Sequence, residues 1–331
     1  MEQVWLILIV LIVFVFLHTF NILLYDNIIA PYIVSKEGFE DVKESEQEKI
    51  SGAVDEKTGL IKWLDNKELY DTFYASIYDQ LTQGAVRTQA ECGLILNEWT
   101  KRGNDIKTFE VLDLGCGTGI AVATLIKMGV KSAVGMDISQ AMLKKAEENI
   151  SLTTLTDSQK ELIEWKNDDI MNPSAYSGAK FTHAIMLYFS LYYFNDKETV
   201  FRNLFFWIKP GGRIVIHVVN KHKFDPMLES SAPWLGFSLQ KYSDTRIKKS
   251  EVVFNKFKYV GEFDLEDPQA EFRETFRFTD GKVRRQRHDF RMEDMEAIVE
   301  LAKRAGWEYV GYADLTPISL EYMYHLHFKH P

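Results

Sequence analysis

Residues 111–119 read VLDLGCGTG: a short apolar run, an aspartate, and three glycines at alternate positions, Gly115, Gly117 and Gly119, with a helical pattern directly behind them. Such a stretch constrains a chain to turn a buried strand sharply into a helix whose N-terminus faces a ligand. Glycine meets two needs there that a Cβ would defeat, positive φ and close approach of a ligand to the backbone. Taken alone, the pattern is also compatible with a plain tight turn. Its spacing is informative: a dinucleotide site carries GxGxxG, and the third glycine of that pattern would fall on Ile120, whereas here the form is GxGxG with Asp113 two residues ahead.

The D-x-G-x-G-x-G form resembles the first motif of class I S-adenosylmethionine-dependent methyltransferases. The resemblance implies an α/β fold with a Rossmann-like seven-stranded sheet, its seventh strand antiparallel, and S-adenosylmethionine as cofactor, with Asp113, Gly115, Gly117 and Gly119 at its site. Strands are predicted over 110–114 and 133–136, the second ending in Asp137, which can accept from both ribose hydroxyls, with Ile138 beside it. A third strand over 162–166 precedes Asp168, Asp169 and Ile170. The family pattern implies that Asp169 accepts from the adenine amino group and that the Ile170 amide reads a ring nitrogen, with Asp168 standing where glycine is usual. The segment 203–219, NLFFWIKPGGRIVIHVV, resembles the family's helix, turn and fifth strand; Pro210 is expected to stop the helix and Gly211 and Gly212 to permit the reversal.

Residues 60–99 are helical and aromatic in pattern, with Tyr70, Tyr74 and Tyr78 on one helix face. The stretch RTQAECGLILNEW from Arg87 is similar to the corresponding part of glycine N-methyltransferase and its relatives. That similarity implies that Arg87 holds the carboxylate of the methionine moiety, a task for which a guanidinium fork is suited, with Tyr78 in support. The segment 181–194 reads as the fourth strand and the loop leaving its carboxyl end. Here Thr182 stands where the family commonly has Asp, Leu187 falls at a donor-contacting position, and Tyr193 replaces a histidine at the methionine end.

A formal charge of −9 argues against a nucleic-acid partner. Two cysteines, Cys92 and Cys116, are too few for a disulfide framework, and no metal is expected. Residues 4–24 are almost wholly Leu, Ile, Val and Phe, long enough to cross a bilayer, and no Lys or Arg precedes them as a signal peptide would require. We therefore expect a transmembrane anchor over 1–25, a polar tether over 26–59 and a methyltransferase domain over 60–331. Lys36, Lys43 and Lys49 on the C-terminal flank favour a single-pass protein with its catalytic domain in the cytosol.

Within the domain, residues 221–290 are expected to form an inserted antiparallel β flap, with strand-like alternation over 252–263, 270–278 and 283–290 and a hairpin signal at Asp280-Gly281. Its cluster Lys282, Arg284, Arg285, Arg287 and His288 reads either as charged strand edges or as a clamp for an acidic group. The function expected is methyl transfer to a small-molecule or lipid-like acceptor at a membrane, with Tyr188, Tyr193 and His288 as catalytic candidates and His222 and Glu274 as further possible neighbours of the acceptor. The alternatives are a membrane-tethered S-adenosylmethionine-binding module without turnover and a nicotinamide-dependent oxidoreductase, the latter disfavoured by the glycine spacing.

Overall fold

The computed structural model describes residues 62–82, 84–101, 103–225 and 248–331. The expected anchor and tether lie outside these residues, and among those described no helix is long and apolar enough to cross a membrane. The described chain opens on a two-residue strand, β1 (Trp63–Leu64), and two helices, α1 (Thr72–Thr82) and α2 (Gly84–Thr100). Strands and helices then alternate: β2 (Glu110–Leu114), α3 (Ile120–Met128), β3 (Ser132–Asp137), α4 (Gln140–Leu152), the short α5 (Asp157–Lys160), β4 (Ile163–Asn167), β5 (Phe181–Met186), α6 (Lys197–Trp207) and β6 (Ile208–Val219). Four strands follow, β7 (Lys249–Val253), β8 (Phe257–Glu266), β9 (Gln269–Phe278) and β10 (Val283–Arg291), then α7 (Met295–Arg304), β11 (Glu308–Asp314) and β12 (Met323–Lys329).

Seven strands form one sheet in the order β11-β12-β6-β5-β2-β3-β4. The run from β4 to β6 is parallel, and β12 lies antiparallel between β6 and β11, so the seventh strand has the direction expected. The apolar runs that mark these strands follow from burial on both faces. Leu112, Leu114, Met136 and Ile216 enter one core layer, while their neighbours Val111, Ala133, Ile185 and Val215 enter the other. The chain moves outward from β2 to β3 and β4, then returns to lay β5 on the other side of β2. The carboxyl ends of β2 and β5 therefore flank a topological switch point, where open α/β sheets bind ligands.

Three details differ from the sequence-based expectation. The third strand begins and ends one residue later, at Ile163 and Asn167, because the register pairs Asp137 with Asn167 and carries the ladder on. The Lys-Pro-Gly-Gly segment does not separate helix from strand but lies inside β6 as an irregularity, Ile208 pairing with Phe181 and Arg213 with His183. Gly211 takes φ 81° there, and a Cβ on Gly212 would stand 2.5 Å from the Thr182 carbonyl oxygen, so the excess chain is accommodated only without side chains. The stretch 252–263 folds as a hairpin rather than one strand, with the Phe254 amide donating to the Phe257 carbonyl at 2.9 Å.

The second sheet has the order β1-β10-β9-β8-β7. Its four later strands form an antiparallel meander, and β1, from the stretch ahead of α1, joins in parallel. Alternation along β10 sends Arg284, Gln286, His288 and Phe290 inward. Arg284 is 1% exposed and donates to Asp71 Oδ2 (2.6 Å), the Leu69 carbonyl (2.9 Å) and Gln286 Oε1 (2.8 Å). Arg287 pairs with Asp289 and Glu271, Lys282 with Asp280, and the Arg285 guanidinium lies over Trp63. The clamp reading of this strand is thereby corrected: its most central arginine is buried and braces the sheet against the start of α1.

His183 on β5 packs between Trp99 and Phe109, with ring centroids 4.3 and 4.1 Å away. Burial, with a smaller contribution from Arg213, pushes its pKa down to about 3. The unfolded chain takes up this proton near pH 6.5 and the folded chain only near 3, so folding stability contributed by the neutral ring falls as pH drops through that window. Thermal denaturation of His183→Gln is expected to show a shallower loss of melting temperature between neutral and mildly acidic pH than the parent. An unchanged slope would remove His183 from this account.

Candidate active site

The turn leaving β2 is held against the end of β3. The amides of Gly115 and Cys116 donate to the Met136 carbonyl at 2.8 and 3.1 Å. Gly115, Gly117 and Gly119 take φ of 67°, 53° and 79°, the left-handed region that favours glycine. The Gly117 amide donates to Asp137 Oδ2 at 2.9 Å, and the Ser139 amide to Oδ1 at 2.8 Å, folding the carboxylate back over the turn. Burial raises the Asp137 pKa, against these backbone donors. Asp113 lies buried beneath, and its carboxyl is pushed up to about 8 by burial first and Asp137 second. Thr182, in place of the usual acid, stitches β5 to β2: its hydroxyl accepts from the Glu110 amide at 2.8 Å.

The three glycines have different tasks. A Cβ on Gly119 would come 2.5 Å from the Trp165 ring, so this glycine makes room for a core side chain. A Cβ on Gly115 would meet Ser190 Oγ at 2.9 Å. A Cβ on Gly117 would meet nothing nearer than Tyr78 Cε1 at 4.0 Å, which leaves its backbone open to a ligand.

Around this turn the structure places the other residues expected to hold a cofactor. Ile138 is 68% exposed at the carboxyl edge of the sheet, its carbonyl held by Asn167 Nδ2 at 2.9 Å. Asp169 Oδ1 accepts from the Met171 amide at 2.8 Å, and Asp168 Oδ1 accepts from the Asp169 amide and from Asn172 Nδ2. The Asn172 bond is the main reason the Asp168 carboxyl sits below its ordinary value. Ile170 sends its side chain into the core and its carbonyl to Asn203, so its backbone amide is what remains for a ligand. Arg87 donates from Nη1 to the Thr82 carbonyl at 3.2 Å and stacks 3.9 Å over the ring of Tyr188, which itself takes φ 55°. Leu187, at the end of β5, packs against the core layer under α2 and α3.

A small cavity of about 60 Å³ adjoins the turn. Tyr70, Tyr74, Tyr78, Thr82, Tyr188, Ser190, Tyr193 and His288 line it together with Phe189, Phe224, Phe263, Phe272 and Phe290. A chain of polar atoms leads out of it: Tyr70 Oη to Tyr193 Oη at 2.6 Å, Tyr193 Oη to His288 Nδ1 at 2.5 Å, and His288 Nε2 to Glu274 Oε2 at 2.7 Å. Glu274 also accepts from Tyr259 Oη (2.8 Å) and Gln286 Nε2 (2.5 Å). Burial works against its charge, but His288, Tyr259 and Gln286 outweigh it and hold the carboxyl below its ordinary value. Burial pushes the Tyr70 and Tyr193 phenols well up. His222 is exposed beside Asp267 and does not line the cavity.

The comparison with known proteins agrees with this geometry. Residues 111–212 match the methyltransferase domain family. The chain is 38% identical over 69 residues to the ribosomal protein L11 methyltransferase of Ruminiclostridium cellulolyticum, a match covering 21% of this chain and 20% of that protein. It thus spans about a fifth of the length of the curated relatives it matches. In fold it is similar to an S-adenosylmethionine-dependent methyltransferase from Clostridium acetobutylicum, with TM-score 0.59 and 20% identity over 78% of this chain and 97% of that one. It is also similar to S-adenosylmethionine-bound CalS10, an amino pentose methyltransferase from Micromonospora echinaspora, with TM-score 0.50 and 16% identity over 74% and 92%. Residues 111–212 thus match a methyltransferase domain, and the chain has the fold of solved S-adenosylmethionine-dependent methyltransferases.

Ser190, Asp79 and the phenylalanine wall escaped the sequence reading. Asp79 accepts from the Thr118 hydroxyl and from Asn149 Nδ2, tying α1 to the turn and to α4. The phenylalanines were within reach of strand alternation, since Phe263 and Phe272 are cross-strand partners and His288 faces Phe272.

Calorimetry on three variants tests the cofactor site. Gly117→Ala is expected to cost about 1 kcal/mol of stability through its left-handed backbone yet to weaken S-adenosylmethionine more than about tenfold, ~1.4 kcal/mol. Gly119→Ala should instead fail at folding, through Trp165. Arg87→Ala should weaken S-adenosylmethionine and S-adenosylhomocysteine by about 1.5 to 3 kcal/mol and leave methylthioadenosine, which lacks the carboxylate, nearly unchanged. Equal losses for all three ligands would return Arg87 to a structural role.

Proposed function

We propose that the protein transfers a methyl group from S-adenosylmethionine to an amine carried on a small, largely apolar molecule seated in the aromatic cavity. The observation that carries this reading is that cofactor turn and cavity share residues. Ser190 and Tyr78 stand against Gly115 and Gly117 and also line the cavity. When bound, S-adenosylmethionine supplies an electrophilic methyl group on a sulfonium. The protein's own residues then have two tasks, to orient the nucleophile and to take its proton. The faces of Tyr70, Tyr78 and Tyr193 attract a cationic centre, which suits an ammonium on entry. The polar chain takes up its proton: Tyr70 accepts it and passes its own to Tyr193, which passes its own to His288 Nδ1. The resulting imidazolium is held by the buried Glu274 carboxylate. Tyr193 thus conducts rather than serving as a base, and Tyr188 positions Arg87. The aromatic lining of this pocket supports a small, largely apolar acceptor rather than a folded protein.

The same proposal includes a membrane location. The apolar residues 4–24 and the polar stretch after them support an anchored enzyme, and tethering raises the effective concentration of an acceptor that resides in the bilayer.

The test uses labelled donor with separate lipid and polar extracts, comparing full-length protein in liposomes with the chain lacking residues 1–34. Label is expected in a lipid-like amine, at a rate that depends on the anchor. Glu274→Gln and His288→Gln are expected to lower kcat by about a hundredfold or more with cofactor affinity unchanged. Absence of label from every fraction would identify a binding module without turnover. Label in hydroxyl groups would overturn the amine reading, and equal rates without the anchor would overturn the membrane one.

A further inference from the structure

On the side of the sheet away from the flap, α2 packs over β6 and β12. Glu91 on α2 faces His217 on β6 and His325 on β12, and the two histidines are direct cross-strand partners. All three are buried, Glu91 and His325 at 0% and His217 at 1% exposure. One ligand atom from each, a carboxylate oxygen and two ring nitrogens, lie within 4.8 Å of one another. Glu91 Oε1 approaches His217 Nδ1 to 2.8 Å without hydrogen-bond alignment. Both carboxylate oxygens and both ring nitrogens of each histidine are buried with no hydrogen-bond partner. Native interiors pair almost every such atom, so this cluster points to an occupant that takes one donor atom from each of the three residues.

We propose that Glu91, His217 and His325 bind a divalent first-row transition ion, with zinc the foremost candidate. Two imidazoles and a carboxylate suit zinc and its neighbours, whereas calcium and magnesium prefer all-oxygen sites. Donor atoms of a four-coordinate zinc stand about 3.3 Å apart, so to take the ion the Glu91–His217 pair at 2.8 Å opens slightly and the wider separations within the 4.8 Å cluster draw in. Three protein donors leave a fourth position for water. The ion fastens α2 to the two strands beneath it. Arg87 lies one helical turn before Glu91 on the same face of α2, and Tyr188, which stacks on Arg87, has its ring 6.5 Å from that of His217. The role is positional: the ion sets the height and rotation of the helix that presents Arg87 to the cofactor. The other way to satisfy the trio is a proton on His217 shared with Glu91, and the two occupants are separable by experiment.

The untagged full chain is purified without chelator and its metal content measured by elemental mass spectrometry. It is then stripped and titrated with Co²⁺ and Zn²⁺. About one equivalent of ion per chain is expected, together with a rise in melting temperature on adding Zn²⁺ back and Co²⁺ absorption of the intense four-coordinate type. Glu91→Gln and His325→Gln should lose the ion and the Co²⁺ bands. Their affinity for S-adenosylmethionine should fall while that for methylthioadenosine holds. A metal-free chain whose melting temperature ignores Zn²⁺ and Co²⁺ would overturn the proposal in favour of the shared proton, as would Co²⁺ bands that survive both substitutions. Should both variants fail to fold, the metal content and Co²⁺ spectrum of the parent chain decide the matter alone.

Discussion

The hydrogen bond from the Gly117 amide to the Asp137 carboxylate joins the ends of two neighbouring strands, and much of the site depends on it. It requires a left-handed backbone at Gly117 and a carboxylate turned back from the tip of β3. With both in place, α3 can start at Gly119 and α4 at Ser139, whose hydroxyl caps the Met142 amide. The same hydroxyl donates to the Tyr70 carbonyl at 2.7 Å, so the strand end that is suited to a ribose also seats the segment leading into α1. Thr118, inside the glycine turn, grips α1 a second time through Asp79. A turn usually described as a cofactor cradle is here also the anchorage of the cavity wall.

The flap sheet solves a different problem, that of lodging charge in an apolar interior. Glu274 and Arg284 are almost fully buried, and each is surrounded by polar partners rather than by a single counter-ion. A buried charge persists only when its remaining hydrogen-bonding capacity is met. Meeting it fixes the rotamers of Gln286 and His288 and, through them, of Tyr193. His288 and Glu274 are therefore held by packing and by hydrogen bonds on regular strands, which gives their geometry a precision that loops would not.

The glycine motif, the alternation of strands and helices and the hairpins of the flap were legible because each is written in a local pattern, a spacing, a period or a turn signal, whereas the antiparallel last strand came from the family resemblance. What was not legible depends on register between distant segments. Trp165 lies across Gly135, its partner on β3, and fills the space above Gly119, a relation that neither stretch announces by itself. Strand β1 joins the flap more than two hundred residues ahead of its partner β10, beyond any local signal. The basic strand shows a subtler failure. Its count of positive charges suggested a ligand clamp, but period-two alternation, applied to the same residues, turns Arg284 and His288 inward and Arg285 and Arg287 outward. The charge was visible, and the face was what mattered.

One short segment reaches both the cavity and the proposed cofactor site. Tyr70, Tyr74 and Tyr78 line the cavity, and Arg87 follows on the next helix. That segment is fastened to the flap through Asp71 and the Leu69 carbonyl, both held by Arg284, and to the nucleotide-binding sheet through Asp79 and the Tyr70 carbonyl. Any displacement of the flap large enough to admit an acceptor must either break the buried Arg284 contacts or carry the segment with it. In the second case the movement reaches Tyr78 beside Gly117 and Arg87 on the next helix. The buried position of Arg284 makes the first course the costlier one. A flap that holds to the start of α1 as one body therefore follows from where the charges lie.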